Sequence, residues 1–242
     1  LYVGMGELSV GPGAVDALLD GVVSFNIEEL DPVVVDMGGE VLFQQGKDKV
    51  ARILELASEI ENKCNLRLGE TPMSLVVNLG STVGYLELGG LALTELTVTQ
   101  GAADVGLSFA ELNQQEMSTL TVNAGASEMV MTGLANARAD EIVFVGGPGN
   151  YRMRFDGRLQ KDSRVSIKAG LGDITIVVPP GVAAELALSD TITDIDAAEG
   201  WELIEEVYLL NAPGPKVYFD IEMGMGSLRL RTQDPADERN ES

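Results

Sequence analysis

Gly101-Ala102-Ala103-Asp104-Val105 decides the fold, because the same word returns three times further along the chain. The copies are Gly125-Ala126-Ser127-Glu128-Met129, Gly147-Pro148-Gly149-Asn150-Tyr151 and Gly170-Leu171-Gly172-Asp173-Ile174. Their leading glycines fall 24, 22 and 23 residues apart. A looser copy around Gly80 (Leu79-Gly80-Ser81-Thr82-Val83-Gly84-Tyr85) lies 21 residues before the first. An internal period of this length marks one supersecondary unit that buries its apolar side only by stacking on its neighbours.

Each corner is followed by apolar residues at every second position, the signature of a half-buried strand. The runs are Tyr85, Leu86 and Leu88; Val105, Leu107 and Phe109; Met129 and Met131; Tyr151, Met153 and Phe155; Ile174, Ile176 and Val178. A second apolar stretch closes most units: Leu96 and Val98, Leu120 and Val122, Ile142 and Phe144, Val165 and Ile167. Two short strands per unit, stacked at about 4.8 Å, predict an all-β chain, a single β-solenoid (β-helix) with rungs of about 22 residues. A β-sandwich is the alternative, since strands at this spacing fit it too. The glycines Gly101, Gly125, Gly147 and Gly170 are expected at corners, where φ is positive or where two backbones pass closely. Asp104, Glu128, Asn150 and Asp173 hold equivalent places and form one column, suited to bonding nearby backbone N–H groups.

The flanks carry the same word, as Gly4-Met5-Gly6-Glu7-Leu8 and Gly224-Met225-Gly226-Ser227-Leu228. Between Lys47 and Asn62, Val50, Ile53, Leu54, Ala57 and Ile60 recur at helical spacing, predicting one short helix that caps the open end of the stack. The turn Asn211-Ala212-Pro213-Gly214-Pro215 predicts a C-terminal hairpin, and the polar stretch 233–242 a flexible tail. The expected organisation is an N-terminal segment over 1–68, the repeats with their hairpin over 69–232, and that tail.

Composition narrows the chemistry. The 242 residues hold 16 basic and 38 acidic side chains, a net charge of −22, and no histidine. Such a field repels nucleic acid and anionic membrane surfaces, so neither is an expected partner. Without histidine there is no Ser-His-Asp catalysis and no His-ligated metal; one cysteine, Cys64, excludes an internal disulfide and a cysteine-cluster zinc site. Nothing reads as an 18-residue apolar span. Leu1 in place of Met suggests removal of an upstream signal or anchor, hence an extracytoplasmic or membrane-associated location.

The remaining constellations are weak. Strands follow every glycine corner where a phosphate-binding loop would place Gly-Lys-Ser/Thr and a helix. The acidic column could offer oxygens to Ca²⁺, yet lacks the Gly-Gly-x-Gly-x-Asp repeat of calcium-binding rolls. A glycosidase pair needs one carboxyl isolated in apolar surroundings, and none reads so. Tyr151, Arg152 and Arg154 form the only basic-aromatic cluster within the repeats, a weak candidate for contact with an acidic partner or glycan. Pairing of its arginines with acids on adjacent strands is the competing reading. No catalytic residue, cofactor or metal is expected.

Several stretches resemble the bacterial toast-rack family, related to cell-wall-active-antibiotic-response proteins and to head-domain adhesin-like proteins. They are Gly6-Glu7-Leu8-Ser9-Val10, Asn65-Leu66-Arg67-Leu68 before Pro72, Leu86-Glu87-Leu88-Gly89-Gly90-Leu91, and Gly170-Leu171-Gly172-Asp173 leading to Val178-Pro179-Pro180-Gly181. The resemblance covers residues 1 to about 190. It departs where Cys64 and Asn65 replace the aromatic usual before Leu-Arg-Leu, and in the insert over 47–62. It implies an envelope-associated protein with no catalytic residues to carry over. The expected function is a non-enzymatic surface scaffold for binding or adhesion, its partner a protein or glycan of the cell envelope. The alternatives are a ligand-sensing domain in an envelope-stress response and a carbohydrate-active β-helix enzyme.

Overall fold

The computed structural model describes residues 1–46, 60–189 and 194–233. Five strands precede the repeat: β1 (Tyr2–Pro12), β2 (Leu19–Phe25), β3 (Val33–Asp36), β4 (Val41–Gln45) and β5 (Asn62–Leu68). Eight carry it: β6 (Met73–Glu87), β7 (Leu93–Gln100), β8 (Asp104–Ser108), β9 (Met117–Ala124), β10 (Ser127–Thr132), β11 (Ala139–Gly146), β12 (Gly149–Arg154) and β13 (Ser163–Val177). Five follow: β14 (Ala183–Leu188), β15 (Asp194–Ala197), β16 (Trp201–Ile204), β17 (Val207–Leu210) and β18 (Lys216–Arg231).

The pairings correct the expected β-solenoid with its capping helix. β6 pairs through residues 73–79 with β7 and through 83–87 with β8. From β7 one row of parallel ladders runs through β9 and β11 to residues 164–169 of β13. From β8 the other runs through β10 and β12 to residues 172–177 of the same strand. The circuit β6–β7–β9–β11–β13–β12–β10–β8 therefore returns to β6: a closed barrel of eight parallel strands, with the other strands outside it. Closure comes from β6 and β13, each 15 residues long, which turn a corner and serve both rows. The repeat period sets strand length and register but says nothing about where the chain runs through a corner unbroken.

Among the described residues the only helical turns are short 3-10 segments, at Glu28–Leu30 and Leu134–Ala137. The expected helix falls mostly on residues 47–59, outside the described residues; Asn62, at its expected end, instead opens β5. Beyond Gln233 the expected tail lies outside them too.

The 21- to 24-residue spacing survives as strand register. Leu86 stands opposite Leu107, Leu107 opposite Met131, Met131 opposite Met153 and Met153 opposite Ile176. These side chains, with Val98, Val122, Phe144 and Ile167 from the other row, are fully buried in one continuous core. Few aromatics are needed, because each layer is filled by residues directly stacked on their counterparts. Tyr85 is the exception among the predicted inward residues: it is exposed, in phase with Val83 and opposite to Leu86 and Leu88. Outside the ring, β1 lies parallel on β6 and β18 parallel on β13. Each is joined to the barrel only after a long excursion, which holds β2–β5 at one end and β14–β17 at the other.

Of the four corner glycines, Gly125 and Gly147 are required for close approach, while a Cβ on Gly101 would make only ordinary contact at 3.4 Å. None of Gly101, Gly125, Gly147 or Gly170 has a positive φ. A Cβ on Gly125 would stand 2.6 Å from the carbonyl oxygen of Gly101, and one on Gly147 2.8 Å from that of Gly125. The same relation links Gly80 to Gly4 and Gly224 to Gly170. Gly170 itself differs, since its Cβ would meet nothing within 4 Å.

A buried polar knot ties the N-terminal excursion to β1. The Gln45 amide nitrogen donates to the carbonyl of Leu30 (2.7 Å) and to Asn62 Oδ1 (2.8 Å). Asn62 Nδ2 donates to the carbonyl of Met5 (2.6 Å) and to Gln45 Oε1 (2.9 Å), which also accepts from Cys64 Sγ. Burial pushes the Cys64 thiol up to about 11.

Two outcomes are expected. Gly125→Ala and Gly147→Ala each lower the melting temperature by roughly 4 °C or more, the scale for about 2 kcal/mol of backbone overpacking in a domain of this size. Gly170→Ala leaves it within about 2 °C; calorimetry separates the three. At pH 8 Cys64 in the folded protein reacts with iodoacetamide at no more than about a hundredth of its rate in denaturant, as a buried protonated thiol must; mass spectrometry of the alkylated protein reads both rates.

Candidate functional site

The parallel register arranges the outward residues of β1, β6, β8, β10, β12, β13 and β18 into straight columns at strand spacing. One column reads Ser9, Tyr85, Gly106, then Val130, Arg152, Thr175 and Arg229. Its neighbour holds the predicted corner acids.

That acidic column exists, and its bonds run from strand to strand. Asp104 Oδ1 accepts the backbone N–H of Glu128 (3.3 Å), and Asn150 Nδ2 donates to Glu128 Oε1 (3.0 Å). Asp173 Oδ1 accepts the hydroxyl (2.7 Å) and backbone N–H (3.3 Å) of Ser227, while Arg229 reaches its Oδ2 at 3.1 Å. Ser227 first, and Arg229 second, hold the Asp173 carboxyl below its ordinary value. Among the described residues no three metal-ligating side chains converge.

The predicted contact cluster is divided. Tyr151 is a core residue, only 2% exposed. Its ring meets Phe144 edge-on at 4.8 Å, and its hydroxyl lies 3.1 and 3.0 Å from the carbonyls of Gly125 and Gly147 as donor. Arg152 and Arg154 point outward and are half-buried, with Arg154 Nε 3.6 Å from Asp156. Two further arginines join them: Arg229 shares a column with Arg152, and Arg231 with Arg154, separated by Thr175 and Val177 of β13. Leu228-Arg229-Leu230-Arg231 repeats the alternation of Tyr151-Arg152-Met153-Arg154, and that repetition is the signal sequence reading passed over. Asp173 and Asp196 pair with Arg229 and Arg231, so this end of the face is close to neutral.

Lys161 lies at the far side of the barrel and bridges Glu116 and Asp140. Hydrogen bonding to Asp140, more than anything else, raises its pKa. Beside it a cleft of about 120 Å³ is floored by Leu134, Phe155 and Leu159. The Arg138 guanidinium at this cleft also bonds the carbonyls of Asn113 and Gln114 (3.2 and 3.1 Å). The cleft is well below the volume that encloses a small-molecule ligand.

What the outward face leaves free is apolar. Tyr85, 46% exposed, lays its ring across Gly106, where a Cβ would stand 2.8 Å from ring carbon Cδ2. Its hydroxyl is 3.4 Å from Glu87 Oε2. Val83 and Val130 are also exposed, one beside Tyr85 on β6 and one beyond Gly106 on β10. The three make an apolar patch, with Val83 standing in the acidic column opposite Asp104 and the arginine end beyond Val130. Outward phase was the signal for Tyr85, since alternation that sends Leu86 and Leu88 inward sends Tyr85 and Glu87 outward.

Residues 1–129 match the family model described as the N-terminal domain of toast_rack, DUF2154. The chain is also similar to a candidate cell adhesion protein from Clostridium sporogenes, known from its crystal structure. The two are 15% identical over 95% of this chain and 89% of that one, with a TM-score of 0.49. No curated protein matches.

The Asp173 pKa carries a sign that can be tested. A carboxyl held below its unfolded value contributes stability that is complete above the ordinary carboxylate range and fades as pH falls through the folded value. Asp173→Asn is therefore expected to lower the melting temperature at pH 7, with the difference from wild type shrinking as pH falls below about 4 and continuing to close at more acid pH. Thermal melts of both proteins across that range read the gap.

Proposed function

The chain belongs to the toast-rack family by the match over residues 1–129, and from that premise we propose a non-enzymatic scaffold of the cell envelope or surface, working outside the cytoplasm. Its adhesion-like contacts run through the outward face of the parallel sheet, against a protein or glycan of the envelope. The observation that carries this reading is the exposed strip of Val83, Tyr85 and Val130 on an otherwise charged face. Apolar residues gathered on a rigid surface and rimmed by charge are the usual composition of a contact site. An aromatic anchor whose ring is already immobilised over Gly106 loses little further freedom on binding.

The non-enzymatic reading is supported by what the side chains do. There is no histidine in the sequence, and the Cys64 thiol, with its pKa pushed up to about 11, stays protonated near neutral pH and is no nucleophile. The carboxylates of the outward column are engaged in bonds that hold one strand to the next. The envelope setting is what the family resemblance implies.

The test compares wild type with Tyr85→Ala and Val130→Asp for retention on immobilised bacterial envelope preparations, with and without protease treatment to distinguish protein from glycan. Both variants are expected to bind at least about tenfold more weakly than wild type, the scale of losing one interface anchor, with melting temperatures unchanged. Equal retention of all three, or no retention of wild type, sinks the reading.

A further inference from the structure

The strand β3 is an unfinished edge. Among the described residues it has a ladder with β4 alone, Val33 opposite Gln44 through Asp36 opposite Val41. The turn between them is closed by the Met37 N–H donating to the Glu40 carbonyl at 2.9 Å, across Gly38 and Gly39, both with positive φ. From that pair the alternation of an antiparallel ladder makes Val35–Leu42 and Val33–Gln44 the hydrogen-bonded pairs. The N–H and C=O groups of Val34 and Asp36 therefore point to the open side.

The side chains are as bare as the backbone. Val33, Val34 and Met37 are 55%, 58% and 54% exposed, and Val35 is exposed as well. Because Val34 faces opposite to Val33 and Val35, neither surface of this strand is covered by the described residues. Soluble proteins blunt such edges with short strands, charged side chains, proline or a bulge; β3 is short, with Pro32 before it and Asp36 at its end, but Val33, Val34 and Val35 themselves carry no charge, proline or bulge. Exposed acids frame the apolar run: Asp31 before it, and Asp36 and Glu40 after it.

We propose that β3 is a strand-addition site, completed by an extended segment of a partner protein that carries alternating apolar residues flanked by lysine or arginine. The backbone supplies the free donors and acceptors, Val33 to Val35 supply apolar contacts on both faces, and the three acids select the basic flanks. A second copy of this chain fits poorly. Edge-to-edge pairing would bring the same acids together between two bodies that each carry −22. The inference does not depend on the Tyr85 face, which lies on β6.

The probe is a labelled peptide of alternating valine and threonine capped by lysines at both ends; its counterpart is capped by glutamates. The lysine-capped peptide is expected to bind saturably below about 1 mM, the weak limit of specific recognition, and the other at least about tenfold more weakly. Val34→Pro removes one donor from the open side and leaves the bonds to β4 in place, since an edge strand accepts proline there. It is expected to weaken the lysine-capped probe at least about tenfold with an unchanged melting temperature. Should Val34→Pro unfold the hairpin, Asp36→Lys decides, by narrowing the preference between the two peptides. The proposal is overturned by a folded Val34→Pro protein that binds as wild type does, by the absence of saturable binding, by Asp36→Lys without effect on the preference, or by dimers in sedimentation that Val34→Pro abolishes.

Discussion

Glycine backbones in this molecule approach one another too closely for a side chain to stand between them. The carbonyl of one glycine sits where the Cβ of the next would be, from Gly4 to Gly80 and from Gly101 through Gly125 to Gly147. Leu107, Met131 and Met153 stand in register because the corners before them are pressed to within backbone contact. A methyl group at such a corner would wedge two strands apart at the point where both rows turn. The constraint is steric, since neither Gly125 nor Gly147 uses a conformation closed to other residues.

Charge is handled by the same stacking. A parallel ladder with a short repeat places like residues on like, which for acids is repulsive. The outward column relieves this by alternating roles: Glu128 gives its N–H to Asp104 and its carboxylate to Asn150, and Asp173 is closed by Ser227 and Arg229. The arginines that punctuate this acidic surface are largely spent in the same way. Tyr85 on the sheet face and Val33 to Val35 on the edge of β3 are among the apolar groups that stay exposed beside these paired charges.

Much of the interior was legible from the chain alone. The inward residues of nearly every repeat strand follow from alternation, and the glycine spacing reappears as register between Leu86, Leu107, Met131, Met153 and Ile176. The closed ring was not legible, because it depends on β6 and β13 continuing through corners where the other units break. Nor was the arginine group. Arg152 and Arg229 are brought into one column only after the excursion of β14 to β17 has been stepped over, and no local pattern measures the length of an excursion. Tyr85 was misplaced for a simpler reason: an aromatic next to Leu86 was counted as core on hydrophobicity when its parity put it outside.

The division of labour in the ring bears on how such a protein can change over generations. Closure rests with β6 and β13, while the strands between arrive two at a time, one from each row, with each repeat of about 22 residues. Duplication of one repeat within the gene would insert a pair of strands and keep both junctions intact, and a change of one or two residues is absorbed in the connections, as the unequal repeats that keep Leu107, Met131 and Met153 in register already show. Gain or loss of a whole unit would change the girth of the ring while leaving its two closing strands in place.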